Sequence, residues 1–268
     1  MTGGWRVAGG SVRGTRHRRA EGHNQDGLSW SAGEPLVLVV TDGCSSAERS
    51  EVGAALGSRI VARRARAACA WPGLDDAAAF ARAVRDGLLT DLAPIYAALG
   101  GEPADLLDHL LFTAVVAVAE RQRTVVLVMG DGVAAVNGEL WVVDSPDNRP
   151  AYPAYGLLDP GSPPEPRVLW AGPTDAVRTL MVGSDGVRDL LAAGGAPLAG
   201  AGGALAALLD DARVFDNPDQ LRRLLALANR ESQRVDWQAR RIHTERGGLP
   251  DDTTIVVARR GAEGHARP

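Results

Sequence analysis

Acidic residues recur where the apolar runs of this chain stop. Asp42 follows Leu36–Thr41, Asp131 follows Val125–Gly130, and Asp185 follows Leu180–Ser184. Asp251 and Asp252 stand just before Thr253–Arg259, and Asp26, in Asn24-Gln25-Asp26, just before Gly27–Trp30. If the runs are neighbouring strands, their ends gather on one rim, where four or five carboxylates repel one another unless cations neutralise them. The sequence contains no Lys, and few Arg stand beside these aspartates, so a metal ion is the natural counter-charge. Carboxylates, carbonyls and water form the all-oxygen set that suits Mg²⁺ or Mn²⁺. Gly43 and Gly186 follow Asp42 and Asp185, and glycine lets backbone approach a cation closely. Any one Asp-Gly is by itself an ordinary turn. The inference rests on the repetition of the same context.

Other chemistries fit less well. A thiolate phosphatase needs Cys-x₅-Arg, so that the phosphate loop sets Arg against the sulfur. Cys44 has Ser50 at that spacing, with Arg49 one residue early, and Cys69 has Asp75. No Gly-x-Ser-x-Gly elbow is present. His23, His109 and His243 stand apart from one another and from the cysteines, which argues against zinc. Without Lys there is no Schiff base and no Walker-type phosphate lysine.

The elements that must position the aspartates follow from the apolar pattern. Leu36–Val40 is a short, wholly apolar run, read as a buried strand. Ser50 opens an Ala-rich helix to about Ala70, with Ser50 at its cap, and Asp75-Asp76 starts a second helix to about Tyr96 that holds Pro94. Phe112–Val118, Thr124–Met129, Val133–Val136 and Glu139–Val143 read as strands, the last two joined by Asn137-Gly138, a hairpin signal. Asp144–Pro166 reads as a long surface excursion, either a flap on the substrate side or a loop packed by Tyr152 and Tyr155. Val177–Val182 and Thr253–Arg259 are further strands. Ala192–Gly203 is a Gly/Ala/Pro connection, and helices are expected over Gly203–Ala212 and Pro218–Arg241. Strands and helices are segregated rather than alternating, which favours an α+β fold of antiparallel sheets covered by helices.

Composition bounds the class. The chain has 268 residues, 45% hydrophobic and only 4% aromatic, so a sizeable core must rest on Ala, Val and Leu. We expect one domain over residues 1–268, with an ordered core of about 5–260 and frayed, Gly- and Arg-rich ends. With 29 basic and 33 acidic residues the formal charge is −4, contrary to the basic face of a nucleic-acid coat. No apolar run reaches the roughly 18 residues of a membrane span, and residues 1–19 lack the apolar core of a secretory signal. Two cysteines suit a reducing compartment. The expectation is a cytoplasmic monomer that binds neither nucleic acid nor membrane.

The motifs, in order, resemble the metal-dependent protein phosphatases of type 2C, the PPM family, in its bacterial form. Asn24-Gln25-Asp26, Val39-Val40-Thr41-Asp42-Gly43 and Phe112-Thr113-Ala114-Val115-Val116 resemble its first acidic motif, its Asp-Gly motif and its Thr-bearing strand. Met129-Gly130-Asp131-Gly132, Ser184-Asp185-Gly186 with Asp189, and Pro250-Asp251-Asp252-Thr253-Thr254 resemble its later motifs. The resemblance implies a four-layer α/β/β/α sandwich of two antiparallel sheets flanked by helices, with two Mn²⁺ or Mg²⁺ ions at one edge. It implies that Asp42, Asp185 and Asp251 are the core ligands and catalytic residues, Asp42 bridging both ions and Gly43 offering its carbonyl. Asp26 would act nearby, directly or through water. Asp131 and Asp189 match the carboxylates of a third, weaker metal site. The implied activity is hydrolysis of phosphoserine and phosphothreonine proteins, the substrates of a Ser/Thr kinase, by a water or hydroxide that bridges the ions. The chain departs from the pattern in places. Cys44 stands where many members have His, Asp252 where Asn is usual, and Glu21 where a phosphate-holding Arg is expected. His17, Arg18 and Arg19 are the candidates to replace that Arg, beside the reading of a solvated basic run. The competing reading is a pseudophosphatase, the same fold serving as a phosphoprotein-binding or regulatory module.

Overall fold

β3 (Leu36–Gly43) is apolar without alternation over its first five residues because both of its faces are covered. In the computed structural model, which describes residues 4–192, 208–209 and 211–261, Leu36, Leu38 and Val40 enter one core, while Val37 and Val39 enter another. β3 lies in an antiparallel sheet of order β2-β3-β4-β5-β8, with β2 (Asp26–Ser31), β4 (Phe112–Ala119), β5 (Arg123–Met129) and β8 (Arg167–Pro173). A second antiparallel sheet runs β1-β12-β9-β6-β7, with β1 (Trp5–Val12), β12 (Thr253–Arg260), β9 (Thr179–Gly183), β6 (Gly132–Val136) and β7 (Glu139–Val143).

Three apolar layers follow from the two-fold period of the strands. Between the sheets, Leu38, Val40, Val115 and Val126 meet Ala134, Val182, Val256 and Ala258. The outer face of the first sheet packs under α2 (Ser50–Ala70) and α3 (Ala77–Leu99), where Ala54, Val61, Phe80, Val84 and Leu88 are buried. The outer face of the second packs Met181, Ile255 and Val257 against α5 (Gly186–Ala192), α6 (Ala212–Asp216) and α7 (Gln220–Ala228). Small residues set the spacing of the first layer. A Cβ on Gly57 would lie 2.3 Å from the Phe112 ring, so α2 seats directly on β4. The result is the expected α/β/β/α sandwich of two five-stranded sheets, with seven helices among the described residues, α1 (Thr15–Arg19) and α4 (Pro103–His109) included.

Local signals act as expected at several points. Asn137 and Gly138 both take positive φ, 52° and 85°, in the β6–β7 turn. Asp76 caps α3, its side chain accepting from Ala79 N at 2.9 Å. Pro94 sits inside α3, which runs on to Leu99.

Other expectations are corrected. Ser50 is the first residue of α2 rather than its cap, and its hydroxyl donates to Cys44 O. The helix expected over Pro218–Arg241 stops at Ala228, and a hairpin of β10 (Ser232–Asp236) and β11 (Arg241–Glu245) follows. Leu221 and Leu225 are buried, but the apolar residues that next follow do not continue that stripe: Val235, Trp237 and Ile242 are exposed. Asp236 instead accepts from Gln238 N and Ala239 N, turning the chain. The excursion at 144–166 is not confined to the surface. Ala154 is fully buried and Tyr152 nearly so, both in the core under α3, and buried Arg85 of α3 pairs with Glu165 at 2.8 Å. Of the connection expected over Ala192–Gly203 only Ala192 is among the described residues, as the end of α5, and of the helix expected over Gly203–Ala212 only Leu208, Leu209, Asp211 and Ala212 are.

Candidate active site

The antiparallel register brings strand ends from both sheets to one rim. Asp26 of β2 is the cross-strand partner of Asp42 of β3, which on its other side pairs with Thr113 of β4. From the second sheet, Asp185 follows β9 and Asp251 precedes β12, and these strands are hydrogen-bonded neighbours. Asp131 sits in the crossover from β5 to β6, between Gly130 and Gly132 at φ 90° and 134°. The loops carrying Asp185 and Asp251 pack backbone on backbone at Gly186, where a Cβ would lie 2.1 Å from Asp252 O. A side chain there would push the two loops apart.

Asp131, Asp185, Asp189 and Asp251 line a cleft of about 430 Å³, together with Asp144, Arg16 and Arg188. Asp42 stands next to Asp185, their carboxyls within hydrogen-bond reach of each other. Two carboxyls can share such a contact only when a proton or another cation lies between them. Burial, and then the charges of Asp26, Asp185 and Asp251, push Asp42 well above the usual carboxylate range. Asp26 is pushed up to about 8, by burial first and then by the charges of Asp252 and Asp185. Asp185 is raised by burial and by Asp251, and Asp131 is raised to about 6, chiefly by burial.

Ser184 pins this arrangement. Its hydroxyl accepts from Thr254 N at 3.0 Å and donates to Asp26 Oδ2 at 2.9 Å. Asp26 Oδ1 is buried with no hydrogen-bond partner, an orphaned acceptor of the kind that calls for a missing donor or ion. Among the described residues no three His, Cys, Asp or Glu side chains already stand at the distances of a closed metal cage; the carboxylates form an open rim. In donor chemistry the set fits a hard divalent cation: oxygen only, mutually repelling, with one lone acceptor aimed inward. Gly43 is buried beside it, its N–H donating to Gln25 O.

The basic run divides by direction. Arg18 donates to Asn229 O and Arg19 pairs with Glu231. His17 lies with Nδ1 2.9 Å from Asp252 Oδ2, without the alignment of a hydrogen bond. The basic side chains that line the cleft are instead Arg16, 3.9 Å from Asp251, and Arg188, paired with Asp144. Sequence reasoning missed both. Arg188 had a usable signal: it lies three residues after Asp185, at the start of α5, a spacing that places two side chains on one helix face. Arg16 differs from its neighbours only in where the turn of α1 aims it.

Asp252, nearly fully buried, accepts from Gly14 N at 2.7 Å and Gln25 N at 2.6 Å. The two donors reach different oxygens, Oδ1 and Oδ2, and a carboxylate accepts at both where an amide would set an NH₂ against one of the N–H groups. That explains Asp at the position where the motif usually carries Asn. Cys44 is half-buried beside the rim. Burial pushes its thiol up, but hydrogen bonds from Ser46 and Tyr152 and the Ser46 and Ala47 amides outweigh that and leave it lowered.

The architecture matches known folds along almost its whole length. The Mycobacterium tuberculosis serine/threonine phosphatase PstP/Ppp superposes with TM-score 0.55 at 21% identity, covering 97% of this chain and 100% of that one. Serine/threonine phosphatase Stp1 from Staphylococcus aureus gives 0.55 at 16%, covering 98% of each. A catalytic domain of PstP in complex with two manganese ions gives 0.52 at 18%, covering 96% and 98%. No curated protein matches the sequence. A sequence profile of protein phosphatase 2C matches residues 13–226. On that match, over most of its length, the chain belongs to the protein phosphatase 2C family, a family of phosphoprotein phosphatases.

Proposed function

We propose that the chain is a Mn²⁺- or Mg²⁺-dependent phosphatase of phosphoserine and phosphothreonine proteins, a monomer acting in the cytoplasm on the products of a Ser/Thr kinase. The observation that carries this is the cluster Asp26, Asp42 and Asp185, raised in proton affinity by burial and by neighbouring carboxylates, Asp251 among them. Such a set costs folding energy, and sites of this kind are functional far more often than idle. The manganese bound by the PstP catalytic domain supports the same reading.

In this reading Asp42, Asp185 and Asp251, with the Gly43 carbonyl as a further oxygen, would hold two ions. Asp26 orients the set from β2, fixed by Ser184. Asp131 and Asp189 would hold a third, weaker ion. Bound there, the ions would supply counter-charge to the phosphoryl oxygens and lower the pKa of a coordinated water. Arg16 and Arg188, at the cleft wall, hold the phosphate by charge-assisted hydrogen bonds. The β-strand scaffold keeps the carboxylates at fixed spacing, so a bound phosphate meets a preorganised field.

The test is turnover of p-nitrophenyl phosphate and of a phosphothreonine peptide with and without millimolar Mn²⁺. Activity that disappears with EDTA and in Asp185→Asn supports the enzyme. Tight Mn²⁺ binding without turnover would establish the phosphoprotein-binding module instead.

A further inference from the structure

A second hollow opens beside the acidic cleft. It has a volume of about 770 Å³ and is walled by Cys44, Leu107, Leu111, Arg149, Tyr152 and Tyr155. Three separate segments build it: the turn after β3, the end of α4, and the middle of the 144–166 excursion. Its walls are mainly apolar. Leu107 is 43% exposed at its edge, while Leu111 lies nearly buried in its floor. Tyr152 and Tyr155 meet edge to face at 5.7 Å, a rigid aromatic wall.

The hollow is continuous with the acidic rim. Cys44 follows Gly43 and Asp42 directly in sequence, and its N–H donates to Leu111 O at 3.0 Å, tying rim to floor. The Tyr152 hydroxyl reaches the Cys44 thiol, and the ring lies near enough to Asp131 and Asp42 to feel both charges. A substrate whose phosphate sits over Asp42 can therefore lay a neighbouring group over this hollow. In an extended peptide each residue advances about 3.3 Å, and side chains two apart share a face. A side chain two residues from the phosphorylated one thus points at the protein about 7 Å along.

We propose that this hollow is a specificity subsite that takes an apolar side chain two residues from the phosphorylated Ser or Thr of the substrate. The inference rests on the phosphatase reading for the placement of the phosphate. Arg149 and Asp108, which also line it, offer charge to the peptide groups around that side chain.

The experiment uses the full chain with Mn²⁺ and paired phosphothreonine peptides carrying Leu or Glu two residues from the phosphothreonine, on either side. Both kcat/KM and affinity by fluorescence anisotropy are measured. The Leu peptide on one side should be favoured about tenfold, in line with burial of part of one aliphatic side chain. Leu107→Glu, at the exposed edge, should bring that ratio to about twofold or less while leaving p-nitrophenyl phosphate turnover unchanged. Equal affinity and equal kcat/KM for the paired peptides, with p-nitrophenyl phosphate still hydrolysed, would overturn the subsite and spare the phosphatase. A tenfold affinity preference with no hydrolysis of any substrate would uphold the subsite and overturn the phosphatase.

Discussion

Asp26 and Asp42 face each other directly across the β2–β3 ladder. Directly opposed residues have Cβ atoms about 5 Å apart, and like charges in that position destabilise a sheet. Nothing in folding favours this pair, so its presence at the adjoining ends of β2 and β3 points to a ligand. Asp26 is pushed up to about 8 from an ordinary 3.8, and Asp42 is also raised. The folded chain thus holds these protons more tightly than the unfolded chain does. The stabilisation is complete below about 3.8 and is lost as pH rises through about 8. Metal-free protein should therefore melt at lower temperature at pH 8.5 than at pH 6, and excess Mn²⁺ should raise Tm more at pH 8.5, where no proton competes. Thermal unfolding in EDTA and in Mn²⁺ at both pH values checks this; a metal-free Tm that climbs from pH 6 to 8.5 would count against the carboxylate coupling.

Replacing Asp42 separates stability from function. At high pH, where both carboxyls would be ionised, Asp42→Asn removes the charge opposite Asp26 and relieves about 1 kcal/mol of repulsion. The metal-free variant should melt about 2–4 °C higher than the parent. Its turnover with Mn²⁺ should fall at least a thousandfold, because the carboxylate nearest both Asp26 and Asp185 is lost. Unfolding curves and phosphatase assays on the same preparation read both effects. Equal activity in the variant would remove Asp42 from the metal set.

Arg16 and Arg18 provide a contrast two residues apart. Arg16 lines the cleft, its side chain 3.9 Å from Asp251 among the described residues, whereas Arg18 donates to Asn229 O at 2.9 Å. Arg16→Ala should raise KM for phosphopeptides about tenfold, the value of one charge-assisted contact, with Tm unchanged. Arg18→Ala should lower Tm by a few degrees and leave KM alone. The reverse pattern would return the phosphate to Arg18.

Most of the layer order was legible because the strands buried on both faces have unbroken apolar runs. The parts that were not legible have local causes. β1 contains Gly9-Gly10, which reads as a break. The glycines are there because the Trp30 ring and the Arg222 backbone approach to 2.7 Å of where a Cβ would be. β8 is an edge strand pairing only with β5, half-exposed and flanked by prolines, so it carries little periodic signal. At the site, the aspartates could be read because strand ends mark them. Arg16 could not, since α1 is a single turn whose direction is set by tertiary contacts: Thr15 N and Arg16 N donate to Leu249 O and Pro250 O.

Those same contacts make Asp252 the position where the rim is most sensitive. Its two oxygens receive Gly14 N and Gln25 N, fixing the entry to α1 on one side and the segment leading to Asp26 on the other. Asp252→Ala leaves two buried N–H groups unpaired, at about 1–3 kcal/mol each. Asp252→Asn keeps the shape but turns one acceptor into a donor that faces an N–H. It should therefore lose about half as much stability as Asp252→Ala, even though Asn is the residue the motif usually carries. Asp252 also raises the proton affinity of Asp26, so Asp252→Asn should let Mn²⁺ bind with a smaller dependence on pH. Urea unfolding of the two variants, together with Mn²⁺ titrations at pH 6 and 8, reads both consequences. If Asp252→Asn proved as stable as the parent, one of the two backbone hydrogen bonds would have to be absent in solution.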